Sequence, residues 1–272
     1  MYSDSHAHVV DYSPQEIERI VRLMREKRVD LVLAVGVNLE SSEDTVKLAE
    51  KYEQIQAAVG IHPWFAVSLN EAMKQRFERL AGSKFVSAIG EVGLDYQPPM
   101  AGGGSPPPPP GAGEMKFPDK MPKLPETPPT PAVQQEVFMF EVSIARKYGL
   151  PMNIHCQGGA HQDMIDILRI NRGVIGIAHS FSGDEKMLHD WLDLGFYICP
   201  AMMNVTPEQE AVIKKIPLER LVVETDANPM HSPDGPVHVI PVVEQVARIR
   251  GASVDKIGQA TTENLRRVLK IQ

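Results

Sequence analysis

Cysteine is nearly absent from this chain. Only Cys156 and Cys199 occur among 272 residues, without a Cys-x-x-Cys spacing, which excludes a disulfide scaffold and a zinc ribbon. Both read as small buried residues. Long apolar runs are missing too: no stretch approaches the ~20 apolar residues of a membrane span. The first residues lack a basic-then-apolar signal pattern, so a soluble, cytoplasmic protein is expected. Positive charge is in deficit, with 28 Lys and Arg against 35 Asp and Glu, a formal net charge of -7 and a pI near 5.7. That balance argues against a broad basic face gripping duplex DNA through many phosphates. Local basic or metal contacts stay open.

What is present is apolar material in short, regularly spaced runs. Hydrophobic residues make up 43% of the chain, enough for one large core, and a single barrel domain over residues 1–272 is expected. Ser13-Pro14-Gln15-Glu16-Ile17 reads as a capped helix start, with Ile17, Ile20, Val21 and Met24 on one face. The run from Leu31 to Val37 is continuously apolar, as a strand covered on both faces must be. The alternation repeats. Strands are predicted from Tyr2, at Ile55–Ile61, Phe85–Glu91, Met152–His155, Val174–His179, Phe196–Cys199 and Leu221–Asp226. Helical patterns lie between them, including Ser42–Tyr52 and Gln134–Tyr148. Near the C-terminus, Ser253 and Thr262 each read as the start of a capped helix. Eight β-α units point to a closed α/β barrel, a (β/α)8 TIM barrel, with a doubly wound open sheet as the competitor.

Residues 97–131 break the pattern. They hold 13 prolines and 5 glycines, five of the prolines consecutive, and predict a long Pro-rich loop insertion after strand 4. It would leave from the face where barrel active sites form, as a cover for the cleft or as an inert insertion.

Metal-capable side chains sit at the predicted strand ends: His6 and His8 on the first, Glu91 on the fourth, His155 on the fifth, His179 on the sixth and Asp226 on the eighth. His6 and His8 share one face of an extended strand, so both imidazoles aim at one point. Four imidazoles and two carboxylates exceed the needs of one tetrahedral zinc, whereas a carboxylate such as Glu91 can bridge two cations. The expectation is two divalent ions, one held by His6, His8 and Asp226, the other by His155 and His179, with a bridging water as nucleophile. Mixed nitrogen and oxygen donors suit zinc or manganese, while magnesium prefers more oxygen. Asp226 could also accept a proton from the water. Glu224 and Asp4 share the parity of Asp226 and His6 and are candidates to orient the histidines from behind. His62, beside Pro63 and Trp64, is a candidate substrate-binding group. His161, His189, His231 and His238 fall in predicted helices or loops and receive no metal role.

With those residues in place, the chain resembles the TatD-like metal-dependent hydrolases of the amidohydrolase superfamily. The resemblance is carried by Asp4-Ser5-His6-Ala7-His8, Gly60-Ile61-His62-Pro63-Trp64 and Ile89-Gly90-Glu91-Val92-Gly93-Leu94-Asp95-Tyr96. Leu150 to His155, His179 to Gly183, Val223 to Asp226 and Ala260 to Asn264 carry it further. It implies a TIM-barrel phosphodiesterase, many members being deoxyribonucleases, with His6, His8, Glu91, His155, His179 and Asp226 as metal ligands. Cys156-Gln157 departs from the family's frequent Ser-Arg pair and removes a cation that could meet a phosphate.

The expected function is therefore a binuclear hydrolase that cleaves DNA ends or a small phosphodiester. Hydrolysis of an ester, lactone or amide on the same scaffold is the alternative enzyme. A binding or scaffolding protein that recruits a partner through the Pro-rich loop is the alternative from another class.

Overall fold

The computed structural model describes residues 1–97 and 122–271. Seven strands, β1 (Tyr2–Ala7), β2 (Val29–Val35), β3 (Ile55–Val59), β4 (Val86–Asp95), β5 (Met152–Gln157), β6 (Gly176–Phe181) and β7 (Tyr197–Pro200), form one parallel sheet in sequence order. Helices return the chain between them: α1 (Pro14–Lys27), α2 (Leu39–Lys51), α3 (Glu71–Ala81), α4 (Pro131–Tyr148), α5 (His161–Ile170) and α6 (Glu185–Asp193). After β7 come α7 (Pro207–Lys215), α8 (Val239–Arg250) and α9 (Val254–Leu269).

Local chemistry accounts for most boundaries. Ser13 and Glu16 form a reciprocal capping box in front of α1, with Pro14 in the first turn. Asn38 and Ser41 do the same for α2, which starts three residues ahead of the predicted Ser42. α4 begins at Pro131, capped by Thr130, so the expected insertion yields its last residue to a helix. Residues 122–130 form neither helix nor strand, and residues 98–121 of that prediction lie outside the described residues. Thr262 starts no helix. It is buried within α9, which runs unbroken from the Ser253 cap, and its neighbour Thr261 bonds back to the Ile257 carbonyl.

Period-two alternation divides the core. Leu31, Leu33 and Val35 of β2 join Ala58, Ile177, Tyr197 and Val222 in one buried cluster. Val32 and Ala34 face the helical layer instead, in a larger cluster with Phe138 and Trp191.

The predicted eighth strand is not a continuous one. Residues 221–227 lie between β7 and β1 and touch them through single parallel bridges, Ile198 with Leu221 and Ala7 with Ala227. Ser5 N–H donates to the Val223 carbonyl and Asp226 N–H to the His6 carbonyl, at 2.9 and 3.0 Å. The ladder is interrupted because the Asp4 carboxylate takes the Thr225 N–H, and Asp226 adopts a left-handed φ of 52°. Seven strands and this segment make a nearly closed barrel. Among the described residues, no helix is long and apolar enough to cross a membrane.

Candidate metal centre

Glu91 lies at the middle of the cluster. Its Oε2 faces His6 Nε2 at 3.4 Å and His8 Nε2 at 3.6 Å. Its Oε1 faces His155 Nδ1 at 3.0 Å and the Nε2 atoms of His62 and His179, each at 3.4 Å. Asp226 completes the first side, with Oδ1 3.5 Å from His6 Nε2 and 3.2 Å from His8 Nε2. The six residues expected to bind metal thus share one end of the barrel, with His6, His8 and Asp226 on one side of Glu91 and His155 and His179 on the other. His62 joins them.

The hydrogen bonds behind the rings decide which nitrogen each histidine presents. The Asn153 amide donates to the Ser5 carbonyl at 3.0 Å, which fixes its orientation and turns Oδ1 toward His6 Nδ1 at 2.8 Å. His6 therefore carries its proton on Nδ1 and presents a bare Nε2. Glu224 Oε1 accepts from His179 Nδ1 at 2.7 Å, leaving His179 Nε2 bare as well. Asp95 Oδ2 accepts both the Trp64 indole N–H, at 2.9 Å, and His155 Nε2–H, at 3.2 Å, so His155 turns Nδ1 inward. His62 is the reverse case. Its Nδ1 accepts the Trp64 backbone N–H at 3.1 Å, so the inward Nε2 bears the proton and acts as a donor rather than a ligand.

Three bare nitrogens thus face carboxylate oxygens, and His6 and His8 oppose Nε2 to Nε2 at 3.4 Å. Acceptors do not meet acceptors in a buried site unless a cation, proton or metal, lies among them. The donor set fits a metal: the ligand atoms of His6-His8-Asp226, of His6-Glu91-His179 and of His62-Glu91-His155 lie within 4.8 Å of one another, and in the third group the proton on His62 Nε2 leaves Glu91 and His155 as the ligands. The middle group pairs His179 with His6, a closer association than the predicted partition into two sets.

Electrostatics follow the same lines. Burial opposes ionisation of Glu91, yet the imidazoles around it, His62 and His6 foremost, hold its carboxyl well below the usual range. Burial also opposes ionisation of Asp226 more than any single neighbour favours it, and the hydrogen bond from His8 together with the nearby imidazoles overcomes that, so its pKa is lowered. His8 is raised to about 9, because Asp226 and Glu91 overcome the penalty of burial. Burial alone dominates at His62 and pushes it down to about 3, consistent with a neutral donor.

Of the two acids expected behind the ligands, Glu224 contacts a ring and Asp4 does not. Asp4 accepts the His6 backbone N–H at 3.1 Å and the Thr225 side chain and amide, tying β1 to residues 221–227. The sequence pattern alone does not assign Asn153, Asp95 and Trp64 as partners of the rings. Asn153 shares the parity of His155 on β5, and only the register of neighbouring strands shows which ring it reaches. At Gly93 the backbone needs glycine: φ is +145°, and an added Cβ would lie 1.9 Å from the His155 carbonyl. That close approach seats β4 against β5 between Glu91 and His155.

A parallel barrel that gathers imidazoles and carboxylates at the C-terminal ends of its strands defines a metal-dependent hydrolase. The family model described as TatD related DNase matches residues 3–270, and the chain belongs to that family. It is 28% identical to an uncharacterized metal-dependent hydrolase of Bacillus subtilis, YabD, across 100% of both chains. It is 26% identical to the 3'-5' ssDNA/RNA exonuclease TatD of Pectobacterium carotovorum across 93% of each. In three dimensions it resembles the TatD homolog YJJV of Escherichia coli, with a TM-score of 0.79 at 22% identity, covering 100% of this chain and 98% of that one.

Proposed function

We propose that the protein hydrolyses phosphodiesters at the ends of single-stranded nucleic acid, using two divalent ions, zinc or manganese. The observation that carries this reading is the split carboxylate of Glu91, with Oε2 toward His6 and His8 and Oε1 toward His155 and His179. One ion would be held by His6, His8 and Asp226 and the other by His155 and His179, with a Glu91 oxygen available to each. When bound, such ions polarise the phosphoryl oxygen, lower the pKa of the attacking water and stabilise the leaving oxygen.

The remaining work falls to side chains. Asp226 is half-exposed and ionised beside His8, and its place at the open side of the cluster is what would let the carboxylate accept a proton from the attacking water. His62 holds a proton on Nε2 and offers it as a hydrogen bond to a phosphate oxygen. Asn153, Glu224 and Asp95 keep three rings in one tautomer, so no rotation is needed as substrate arrives. The named exonuclease relative, TatD, supports a nucleic-acid substrate. A cytoplasmic location and one folding unit over residues 1–272 complete the proposal. Two unpaired cysteines support the first, and a buried cluster from Ala7 to Ile257 the second.

The test is turnover by zinc- and manganese-loaded protein on single-stranded DNA, a small phosphodiester and a lactone panel. Cleavage of DNA or the phosphodiester, lost in Asp226→Asn, is expected. Activity confined to the lactones would overturn the proposal.

A further inference from the structure

Charge is distributed unevenly along the barrel axis. In the connections that leave the C-terminal ends of the strands, where the metal-capable side chains gather, the described residues include one lysine, Lys123, and no arginine. The same connections hold Asp11, Glu126, Asp184 and Asp234. Arg19 reaches this end from α1, but Asp234 and the Pro233 carbonyl engage its guanidinium. The connections at the opposite end carry Arg28, Lys84, Arg172 and Arg220. Residues 98–121 add Lys116 and Lys120 with Glu114 and Asp119, and so no net charge.

A nucleic-acid strand carries a phosphate at every link, and each one held away from the reacting centre needs a cation or backbone N–H groups. Side chains already cap α1, α2, α3, α4, α6 and α7, which occupies most of the helix N–H groups at this end. Flanking phosphates laid across this mouth would meet carboxylates instead. The centre itself has what one phosphate requires. His62 offers the neutral Nε2–H, and the carboxylates and imidazoles are placed to hold divalent ions that would supply the positive charge. Gln157, two residues beyond His155 on β5, brings an amide without charge, and that amide is committed to the Ser180 carbonyl at 3.3 Å. We infer that the catalytic end engages one phosphate only, so that its substrates are short single strands and a dinucleotide is cut as well as a long one. This rests on the phosphodiesterase reading and narrows its substrate class.

Two measurements on the full-length, zinc- or manganese-loaded protein test it. The first is kcat/KM per chain end for dithymidine monophosphate and for a thymidine strand of about 20 residues, between about 50 and 200 mM salt. The long strand should hold no more than about a three-fold advantage, and log kcat/KM should fall against log salt with a slope of about −0.7, that of one phosphate on a single strand. The second is fluorescence anisotropy with a circular single strand, which has no end to be cut; its Kd should lie above about 0.1 mM. Gln157→Arg and Ser182→Lys, the latter at an exposed position between β6 and α6, each add a cation at the mouth. Each should raise kcat/KM for the long strand several-fold over that for the dinucleotide, and a folding defect in one leaves the other informative. A wild-type preference of about ten-fold or more for the long strand, a slope steeper than about −2, or micromolar binding of the circle would overturn the inference and keep the phosphodiesterase reading. An unchanged preference in both variants would overturn it too. Failure to cut either strand, with the circle unbound, would sink the phosphodiesterase reading and leave the one-sided charge of the mouth standing.

Discussion

Glu224 Oε1 stands 2.7 Å from His179 Nδ1 and 2.9 Å from the Ser180 amide, so one carboxylate oxygen fixes both the ring and the backbone that follows it. Ser180 has a left-handed φ of 48°, and this bond holds the turn that brings His179 to the cluster.

Glu224→Ala should therefore weaken metal binding by about ten- to a hundred-fold, the usual cost of losing a partner behind a ligating histidine. Competition with a chelator of known affinity measures it. Unaltered affinity would separate Glu224 from the metal centre.

Glu91→Ala should lower metal content from about two ions per chain to one or fewer, since a bridging carboxylate serves both positions. Elemental analysis beside the wild type reads the number directly. Two ions retained in the variant would show that Glu91 does not join them.

Glu141 predicts a pH effect on stability. It is fully buried on α4, its Oε1 accepts the Ile61 N–H at 2.8 Å, and its Oε2 has no partner among the described residues. Burial raises its pKa well above the usual value, against the pull of the Ile61 bond. The folded state thus keeps a proton that the unfolded state releases above pH ~4.5. Stability is present in full below that pH and falls as pH rises toward the folded-state pKa, by up to about 1.4 kcal/mol per unit. Glu141→Gln keeps the acceptor and removes the titration, so it should raise Tm at pH 7 and leave it nearly unchanged at pH 4. Equal shifts at both pH values would refute this.

Gly93→Ala should destabilise the fold by about 2–4 kcal/mol, because a Cβ cannot coexist with the His155 carbonyl without parting β4 from β5. Denaturant melts measure the loss. Stability within about 0.5 kcal/mol of wild type would contradict the close approach.

Much of this architecture was legible in the residues because its signals are local. The apolar run at Leu31–Val37 and the alternation of His6 with His8 need no knowledge of distant neighbours. The features that escaped depend on register. Asp95 reaches His155 because β4 pairs Gly93 with His155, and no short window of sequence contains that pairing. The expected strand at Leu221–Asp226 is interrupted for a related reason. Its apolar character is real, but a side chain from β1 takes a backbone donor that a ladder would have used. Thr262 carries a capping signature and lies mid-helix, since α9 packs against β1 and α8 with Thr262 fully buried, and tertiary burial outweighs a local cap.

The bond between Asp4 and Thr225 joins residues 221 positions apart. A ribosome must therefore complete nearly the whole polypeptide before its first histidines acquire their last companions. Any product that stops short of residue 225 would lack this tie and Asp226 with it, so the cluster of imidazoles and carboxylates can close only late in synthesis.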